Sequence, residues 1–108
     1  MEELKPVYDG RRSFHRRACV KRLSIVGATY LVSYETYVCF FDARGRFFRT
    51  WRGYSRTTMR HIVEFVKQFG RGKGPLHKKE WEALPVEEMS YDRAMEARTG
   101  LLSMEAKA

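Results

Sequence analysis

The strongest periodic pattern of apolar and polar positions lies in the middle of the chain and is helical. Its apolar side chains recur at intervals of three and four residues: Met59, Ile62, Val63, Phe65, Val66 and Phe69. At about 100° per residue, these positions fill an arc of roughly 160°. Charged and polar residues, His61 and Glu64 among them, fill the remainder. The pattern predicts an amphipathic helix whose apolar side packs on another layer of the fold.

Capping residues mark both ends of this helix. Ser55 precedes the pattern, and its hydroxyl is placed to accept a hydrogen bond from the amide of Thr57 or Thr58. Gly70 follows the last apolar position and is typical of a helix C-terminus. The helix is therefore predicted from about Ser55 to Phe69.

Alternating patterns before the helix predict β-strands. The first strand begins near Phe14. The longest run, residues 28–42, contains no Gly or Pro and predicts one long strand, with a bend or bulge near Glu35 as the alternative to a straight course. Residues 42–45 have the composition of a tight turn, and residues 46–51 form the strand that returns from it.

These elements predict an α+β fold, in which a small antiparallel β-meander of about three strands is packed by one amphipathic helix. A short helical extension carries Trp81 and ends before Pro85. Residues 14–86 are predicted to form this single α+β domain. Residues 1–13 contain several helix- and strand-breaking residues and predict a flexible N-terminal arm, and residues 87–108 predict an acidic C-terminal tail with a helical pattern.

The charge of the chain is unevenly distributed. The formal net charge is +8. Residues 1–79 carry 18 of the 21 Lys and Arg but only 6 of the 13 Asp and Glu, a balance of +12. Six basic residues fall between Arg11 and Arg22. This distribution favours a polyanionic or acidic partner, whereas the alternative is a basic body that the acidic tail neutralises within the same chain.

Several classes of protein do not fit the composition. The chain has no run of about 18 apolar residues, which a membrane span needs. Its acidic start differs from a secretory signal, so we expect a cytoplasmic protein. Cys19 and Cys39 are more typical of reduced, buried residues than of a disulfide, although the pair leaves both alternatives open. The three histidines stand far apart without metal-ligand spacing, so no metal and no cofactor is expected.

No combination of residues indicates catalysis. A Cys–His pair would require Cys39 or Cys19 beside His61, but Cys39 lies among apolar neighbours that raise a thiol pKa. Capping explains Ser55, and a structural hydrogen bond explains His61. We therefore predict a protein without catalytic residues, that is, not an enzyme.

A basic and aromatic stretch carries the main functional prediction. Nucleic acids are bound by guanidinium groups, which contact phosphates, and by aromatic rings, on which bases stack. The candidate binding residues are Arg44, Arg46, Arg49, Arg52, Tyr54, Arg56, Arg60 and Lys67. Architecture requires no arginine at 49, 52, 56 or 60, whereas Trp51 and Tyr54 fit either the core or a contact surface. The structural alternative is that strand aromatics form the core and charged helix faces are only solvated.

The partner is open between two classes at this point. The first is nucleic acid or a nucleoprotein complex. The second is a protein, because Trp, Tyr and Arg also dominate the centres of protein–protein interfaces. A protein-binding inhibitor or adaptor belongs to this second class.

Three motifs resemble a family of short uncharacterised proteins from phages and other mobile elements of gut Gram-positive bacteria. They are Ser33-Tyr34-Glu35-Thr36-Tyr37-Val38, the stretch from Phe48 to Ile62 with its specific core Trp51-Arg52-Gly53-Tyr54-Ser55-Arg56-Thr57-Thr58, and Lys79-Glu80-Trp81. Residues 8–14 are similar to the family's opening, and the resemblance spans about residues 8–84. It implies a setting among accessory genes of mobile DNA in the cytoplasm of a host bacterial cell, where small proteins often bind DNA or block host defence nucleases. The protein-binding alternative then becomes a stoichiometric inhibitor that contacts a host nuclease directly, as anti-CRISPR proteins do. The resemblance implies no catalytic residues.

Overall fold

A computed structural model describes residues 1–87, which form one antiparallel sheet and two helices. The sheet order is β1-β2-β3-β4-β5, so each strand pairs with its neighbours in sequence. The elements are β1 (Glu2–Glu3), β2 (Ala18–Leu23), β3 (Ala28–Ser33), β4 (Thr36–Phe41), β5 (Phe47–Arg49), α1 (Arg56–Phe69) and α2 (Lys78–Ala83). The predicted α+β class is confirmed, but the prediction of about three strands is wrong because the sheet has five.

The segment 28–42 is a hairpin and not one long strand. Ser33 pairs with Thr36, and the two residues between them close the turn. Tyr34 and Glu35 have φ angles of 49° and 67°, the left-handed region. Two-residue hairpins need this conformation and usually take it from Asn-Gly or a similar pair. The Tyr-Glu sequence carries no such signal, which is why the alternating pattern predicted a continuous strand.

The N-terminal segment, predicted to be a flexible arm, is docked on the fold. Glu2 and Glu3 pair with β2, and Leu4 is buried in the same core cluster as α1. The Glu64 carboxylate, itself buried, accepts hydrogen bonds from the amides of Tyr8 and Asp9 at 2.9 and 2.8 Å. After β1 the segment has no helix or strand, in keeping with its breaking residues. It still docks, because the Glu64 side chain of α1 accepts hydrogen bonds from its backbone amides.

Helix α1 begins where the capping pattern predicts. The Ser55 hydroxyl accepts the Thr58 amide at 3.0 Å, which confirms the N-cap. The helix ends at Phe69, and Gly70 follows with a φ of −105°, so the glycine is not required by a left-handed angle. A Cβ on Gly70 would lie 2.3 Å from Cζ of Phe41. Glycine is therefore required at position 70 by close packing against the Phe41 ring and not by the backbone conformation.

The apolar side of α1 packs on the sheet, but its polar side is not fully solvated. Ile62, Phe65 and Val66 are buried in the main core cluster, as predicted. His61 and Glu64, assigned by the sequence pattern to the polar side, are each 1% exposed. The docked N-terminal segment and the β3–β4 hairpin contact that side of the helix, which explains this burial.

Helix α2 is short and is held by one anchor residue. Trp81 is fully buried and its indole Nε1 donates to the Gly53 carbonyl at 3.0 Å. After α2 the chain runs beside β5, where the Glu87 amide donates to the Arg49 carbonyl at 2.7 Å. The predicted acidic tail lies outside the described residues from position 88 onward. Within residues 1–87, neither helix has the length and apolar character needed to cross a bilayer.

Candidate nucleic-acid interface

Three of the predicted binding residues meet at the N-terminal half of α1. Tyr54, Arg56 and Arg60 line a groove of about 350 Å³. Both arginines are exposed, while Tyr54 is half-buried and has the Lys78 ammonium 4.9 Å from its ring centre. Helical spacing accounts for the arginines, since residues four apart lie on one side of a helix.

Asp9 lies in the same groove and binds one of these arginines. Its carboxylate accepts two hydrogen bonds from the Arg60 guanidinium, at 3.1 and 3.2 Å, and one from the Arg11 amide at 2.9 Å. Burial raises the pKa of Asp9, but the Arg11 amide and the Arg60 guanidinium outweigh that effect and hold the pKa below its ordinary value. Asp9 is thus an internal anion that pairs with one of the two arginines of this groove.

Arg60 also lines a second depression. It encloses about 30 Å³ and is lined by Arg11, Ser13, Phe14, His15, Arg17, Tyr34, Thr57, Arg60 and His61. Because Arg60 lines both depressions, they form one continuous region, which we call the basic surface and define by six residues. These residues are Arg11, Arg17, Tyr34, Tyr54, Arg56 and Arg60.

Three of the six residues of the basic surface were not among the binding residues predicted from the sequence. Arg11 and Arg17 belong to the basic cluster between positions 11 and 22, which predicted a partner but was not connected with α1. Tyr34 was placed in a continuous strand, and the hairpin instead exposes 46% of this residue at its tip. The cluster of arginines could have indicated this part of the surface from the sequence, whereas no residue pattern indicated the turn at Tyr34.

Arg49 was predicted to contact a partner, and the structure corrects this prediction. The side chain is buried, and its guanidinium stands 4.5 Å from the Trp81 ring centre. It donates four hydrogen bonds to backbone carbonyls. They reach Trp51 at 2.8 Å, Trp81 at 2.9 Å, Leu84 at 3.3 Å and Arg52 at 2.7 Å. Arg49 therefore joins β5, the loop before α1 and helix α2, so architecture does require arginine at this position.

The structure does not bring Arg44 and Arg46 together with the basic surface. Both are exposed in the turn between β4 and β5, and the Nε of Arg46 pairs with the Asp42 carboxylate at 2.9 Å. Phe41, just before this turn, packs on Gly70 at the C-terminal end of α1. A six-residue strand is about 20 Å long, so the turn lies at the opposite end of the sheet from Tyr34.

The remaining two candidates are exposed but separate. Arg52 lies on the loop before α1, and its carbonyl accepts from Arg49. Lys67, on the C-terminal half of α1, has its ammonium 5.9 Å from the Tyr8 ring centre and lines a different depression, together with Arg71. The predicted stripe of Arg56, Arg60 and Lys67 is solvent-facing, and only its first two members line the groove at Tyr54.

A buried histidine network supports the floor of the basic surface. The Nδ1 of His61 lies 2.8 Å from the Ser33 hydroxyl, which is 3.1 Å from the hydroxyl of Thr58. A serine beside a histidine also occurs in nucleophilic enzymes, but Ser33 is 2% exposed and thus closed to a substrate. The pKa of His61 is lowered to about 4, mainly by burial. The geometry therefore gives the pair a structural role.

The other groups considered for chemistry are inert or dispersed. Cys39 is fully buried and burial raises its pKa well above the ordinary value, so its thiol stays protonated; both cysteines are free. Among the residues that the structure describes, no three His, Cys, Asp or Glu side chains are grouped so that they could hold a metal ion.

His61 is expected to make the protein sensitive to acid. Its imidazole titrates near pH 6.5 when unfolded and at about 4 when folded, where Asp9 opposes the shift and Arg11 and Arg60 add to it. Between these values the unfolded state binds more protons, so the free energy of unfolding falls as the pH falls. The loss reaches at most about 3 kcal/mol.

Denaturant unfolding between pH 7.5 and 4 measures this effect. The variant His61→Gln should lose the component between pH 6.5 and 4, and His77→Gln, an exposed control, should keep it. Parallel curves for the wild type and His61→Gln would contradict the assignment.

Comparison with known proteins places the chain in a family but assigns no activity. Residues 2–83 match the family of unknown function DUF8033, and the chain belongs to this family. Neither a curated protein nor a solved structure matches it. Functional conclusions therefore rest on the geometry of the basic surface.

Proposed function

We propose that this protein is a non-enzymatic accessory protein of mobile DNA that binds nucleic acid, or a nucleoprotein complex, through the basic surface. One observation carries the proposal: two adjoining depressions that share Arg60 contain four arginines and two tyrosines. Asp9 is the one acidic side chain among their lining residues. The resemblance to short proteins of phages and mobile elements supports the setting.

The chemistry of the basic surface suits a nucleic-acid backbone. Guanidinium groups neutralise phosphates and release bound counterions, which is the main source of sequence-independent affinity. Tyrosine rings offer planes on which bases stack. The N-terminus of α1, with Thr57 lining one depression, adds a partial positive charge and backbone amides.

Direct binding tests the proposal. Fluorescence anisotropy with labelled duplex DNA, single-stranded DNA and RNA at about 50 mM salt should detect a complex, because phosphate contacts are strong in that range. Absence of binding to all three nucleic acids would reject the nucleic-acid function.

Removing the internal anion should strengthen binding. In the variant Asp9→Asn the side-chain oxygen still accepts the Arg11 amide, but Arg60 loses its charged partner. We expect an affinity gain of up to about fivefold, since an ion pair at the surface, here with an exposed Arg60, is worth about 1 kcal/mol or less. Anisotropy titrations measure the gain.

The matched control is Glu2→Gln. It removes the same charge at β1, where the carboxylate pairs with Arg22. Equal gains for both variants would show a general charge effect and contradict a specific role of Asp9.

The Asp9–Arg60 pair also favours a second candidate, an inhibitor of a host defence nuclease that acts by protein contact. In this pair the Arg60 guanidinium donates two hydrogen bonds to a carboxylate. The acidic side chains of a partner protein would offer the same group to the basic surface. Pull-down from a nuclease-treated host lysate tests this candidate. A nuclease that is retained by the wild type but not by the variant Arg56→Ala/Arg60→Ala would support it, and recovery of no protein would count against it.

A further inference from the structure

Two tight turns of unusual conformation stand side by side at one end of the sheet. His15 and Arg16 have φ angles of 54° and 61°, and Tyr34 and Glu35 have 49° and 67°. The Arg17 amide closes the first turn by donating to the Phe14 carbonyl at 3.0 Å. The Arg17 carbonyl then accepts the Tyr34 amide at 2.8 Å and so joins the two turns.

The residue types in these turns are unfavourable for the backbone. Arg, Tyr and Glu rarely adopt a left-handed φ, so their presence here strains the backbone. Glycine or asparagine would relieve this strain. Conformations of this kind persist where the surrounding structure enforces them, and they are common at ligand-binding sites.

The paired turns build the enclosed depression of the basic surface. They bring Arg17 and Tyr34 beside Arg11 and Arg60, and the Arg17 guanidinium lies 5.6 Å from the Tyr34 ring centre. The enclosed volume of about 30 Å³ holds one oxygen-sized group. The depression therefore has room for one polar atom of a ligand, and Tyr34 lines it.

A buried donor lies at the floor of this depression. The His61 ring is 1% exposed, lines the depression and stacks on Tyr34 at 5.9 Å between ring centres. Its Nδ1 lies 2.8 Å from the Ser33 hydroxyl. When the Ser33 hydroxyl donates to Nδ1, the single proton of the neutral ring lies on Nε2. This N–H can donate a hydrogen bond to an oxygen of a ligand.

We propose that the paired turns bind one nucleotide unit: a phosphate oxygen enters the depression toward His61, Arg11, Arg17 and Arg60 hold the phosphate, and the adjoining base stacks on Tyr34. This chemistry is shared by a free nucleotide and by a residue of a nucleic-acid strand. This site deepens the proposed function. It rests on that function only if the nucleotide belongs to a nucleic-acid strand, and not if it is free.

The variant Tyr34→Asn/Glu35→Gly separates a binding role from a structural one. It supplies the residues that a two-residue turn favours, so the unfolding midpoint should rise. It also removes the stacking ring, so affinity for a single-stranded oligonucleotide should fall about tenfold, within the range that one base stack contributes. Tyr8→Asn, which removes another exposed tyrosine, should leave both quantities unchanged.

Arg17→Gln provides an independent variant, because it leaves the turn residues in place. It should weaken binding of both the oligonucleotide and a nucleoside 5′-monophosphate. An oligonucleotide with one abasic position should lose affinity for the wild type but not for Tyr34→Asn/Glu35→Gly. Isothermal titration calorimetry with these ligands and with inorganic phosphate measures all the effects.

The outcomes distinguish this site from the proposed function. Weaker binding by a more stable Tyr34→Asn/Glu35→Gly protein supports the site. Oligonucleotide binding that is unchanged in this variant and in Arg17→Gln overturns the site but leaves the proposed function intact. If only the nucleoside monophosphate binds, and both variants weaken it, the site stands with a free nucleotide as its ligand and the proposed function fails. If the wild type binds none of the ligands, both proposals fail.

Discussion

Replacing Arg49 with alanine is expected to lower the free energy of unfolding by about 4 kcal/mol, the largest effect of any single substitution considered. Four backbone carbonyls lose their guanidinium donor, and a buried carbonyl without a donor costs about 1 to 3 kcal/mol. The Trp81 ring also loses the cation above it. The individual costs do not add fully, because the loop before α1 and helix α2 relax together.

Thermal and denaturant unfolding measure this loss, and two further variants locate its cause. Arg49→Lys keeps the charge but not the planar group that reaches four carbonyls, so it should recover only part of the stability. Arg52→Ala removes a neighbouring exposed arginine, and Arg52 contributes only its carbonyl to the network, so it should change stability by about 0.5 kcal/mol or less. If Arg49→Ala lost no more than Arg52→Ala, the network would not hold the fold together.

The double substitution Arg56→Ala/Arg60→Ala is expected to have the largest effect on binding. Each arginine that neutralises a phosphate adds about 0.7 to the salt slope on a single strand, so the slope should flatten by roughly 1.4. Affinity at about 50 mM salt should fall ten- to a hundredfold, since two charge-assisted contacts are lost. Both side chains are exposed, and therefore the fold should persist.

A charge-matched control separates this site from the overall charge of the protein. Arg44→Ala/Lys73→Ala removes two positive charges near the opposite end of α1, where the Lys73 amide donates to the Gly70 carbonyl. The control should weaken binding by less than the α1 pair does. Equal losses would mean that binding follows net charge and not the basic surface.

The parts of the fold that local rules govern were predictable from the sequence. Capping by Ser55 and the spacing of apolar residues located α1, and Asp42 with Gly45 located the last hairpin turn. In that turn the Asp42 carboxylate accepts the amides of Arg44 and Arg46 at 2.9 Å each, and Gly45 has a φ of 79°. Each of these features depends on residues within about four positions of one another.

The parts that depend on distant contacts were not predictable. Glu64 reads as a solvated residue of α1, and only its bonds to amides 55 and 56 positions away explain its burial. Arg49 reads as a surface arginine until the chain returns with Trp81, which is 32 positions further along. The Tyr34–Glu35 turn lacks its usual residues altogether. Two of these three features concern the basic surface. Tyr34 lines it, and Glu64 adjoins it because its carboxylate holds the segment that carries Asp9.

The candidate site shows the same division between local and distant information. Arg56 and Arg60 were predicted from helical spacing, together with Tyr54 from the aromatic stretch. Arg11 joins them because the N-terminal segment folds back on α1, where Asp9 bonds to Arg60. Arg17 joins them because its carbonyl accepts the Tyr34 amide at the β3–β4 hairpin. The sequence therefore indicated the chemistry of the surface, and the docking of a distant segment determined its extent.

The salt dependence of nucleic-acid binding by the wild-type protein is the decisive measurement. If the four arginines of the basic surface contact phosphates of a single strand, the logarithm of the association constant should fall linearly with the logarithm of salt concentration, with a slope of roughly −3. Affinity should then fall about sixtyfold between about 50 and 200 mM salt. Binding that does not change over this range, or no binding at its lower end, would contradict a phosphate-binding basic surface.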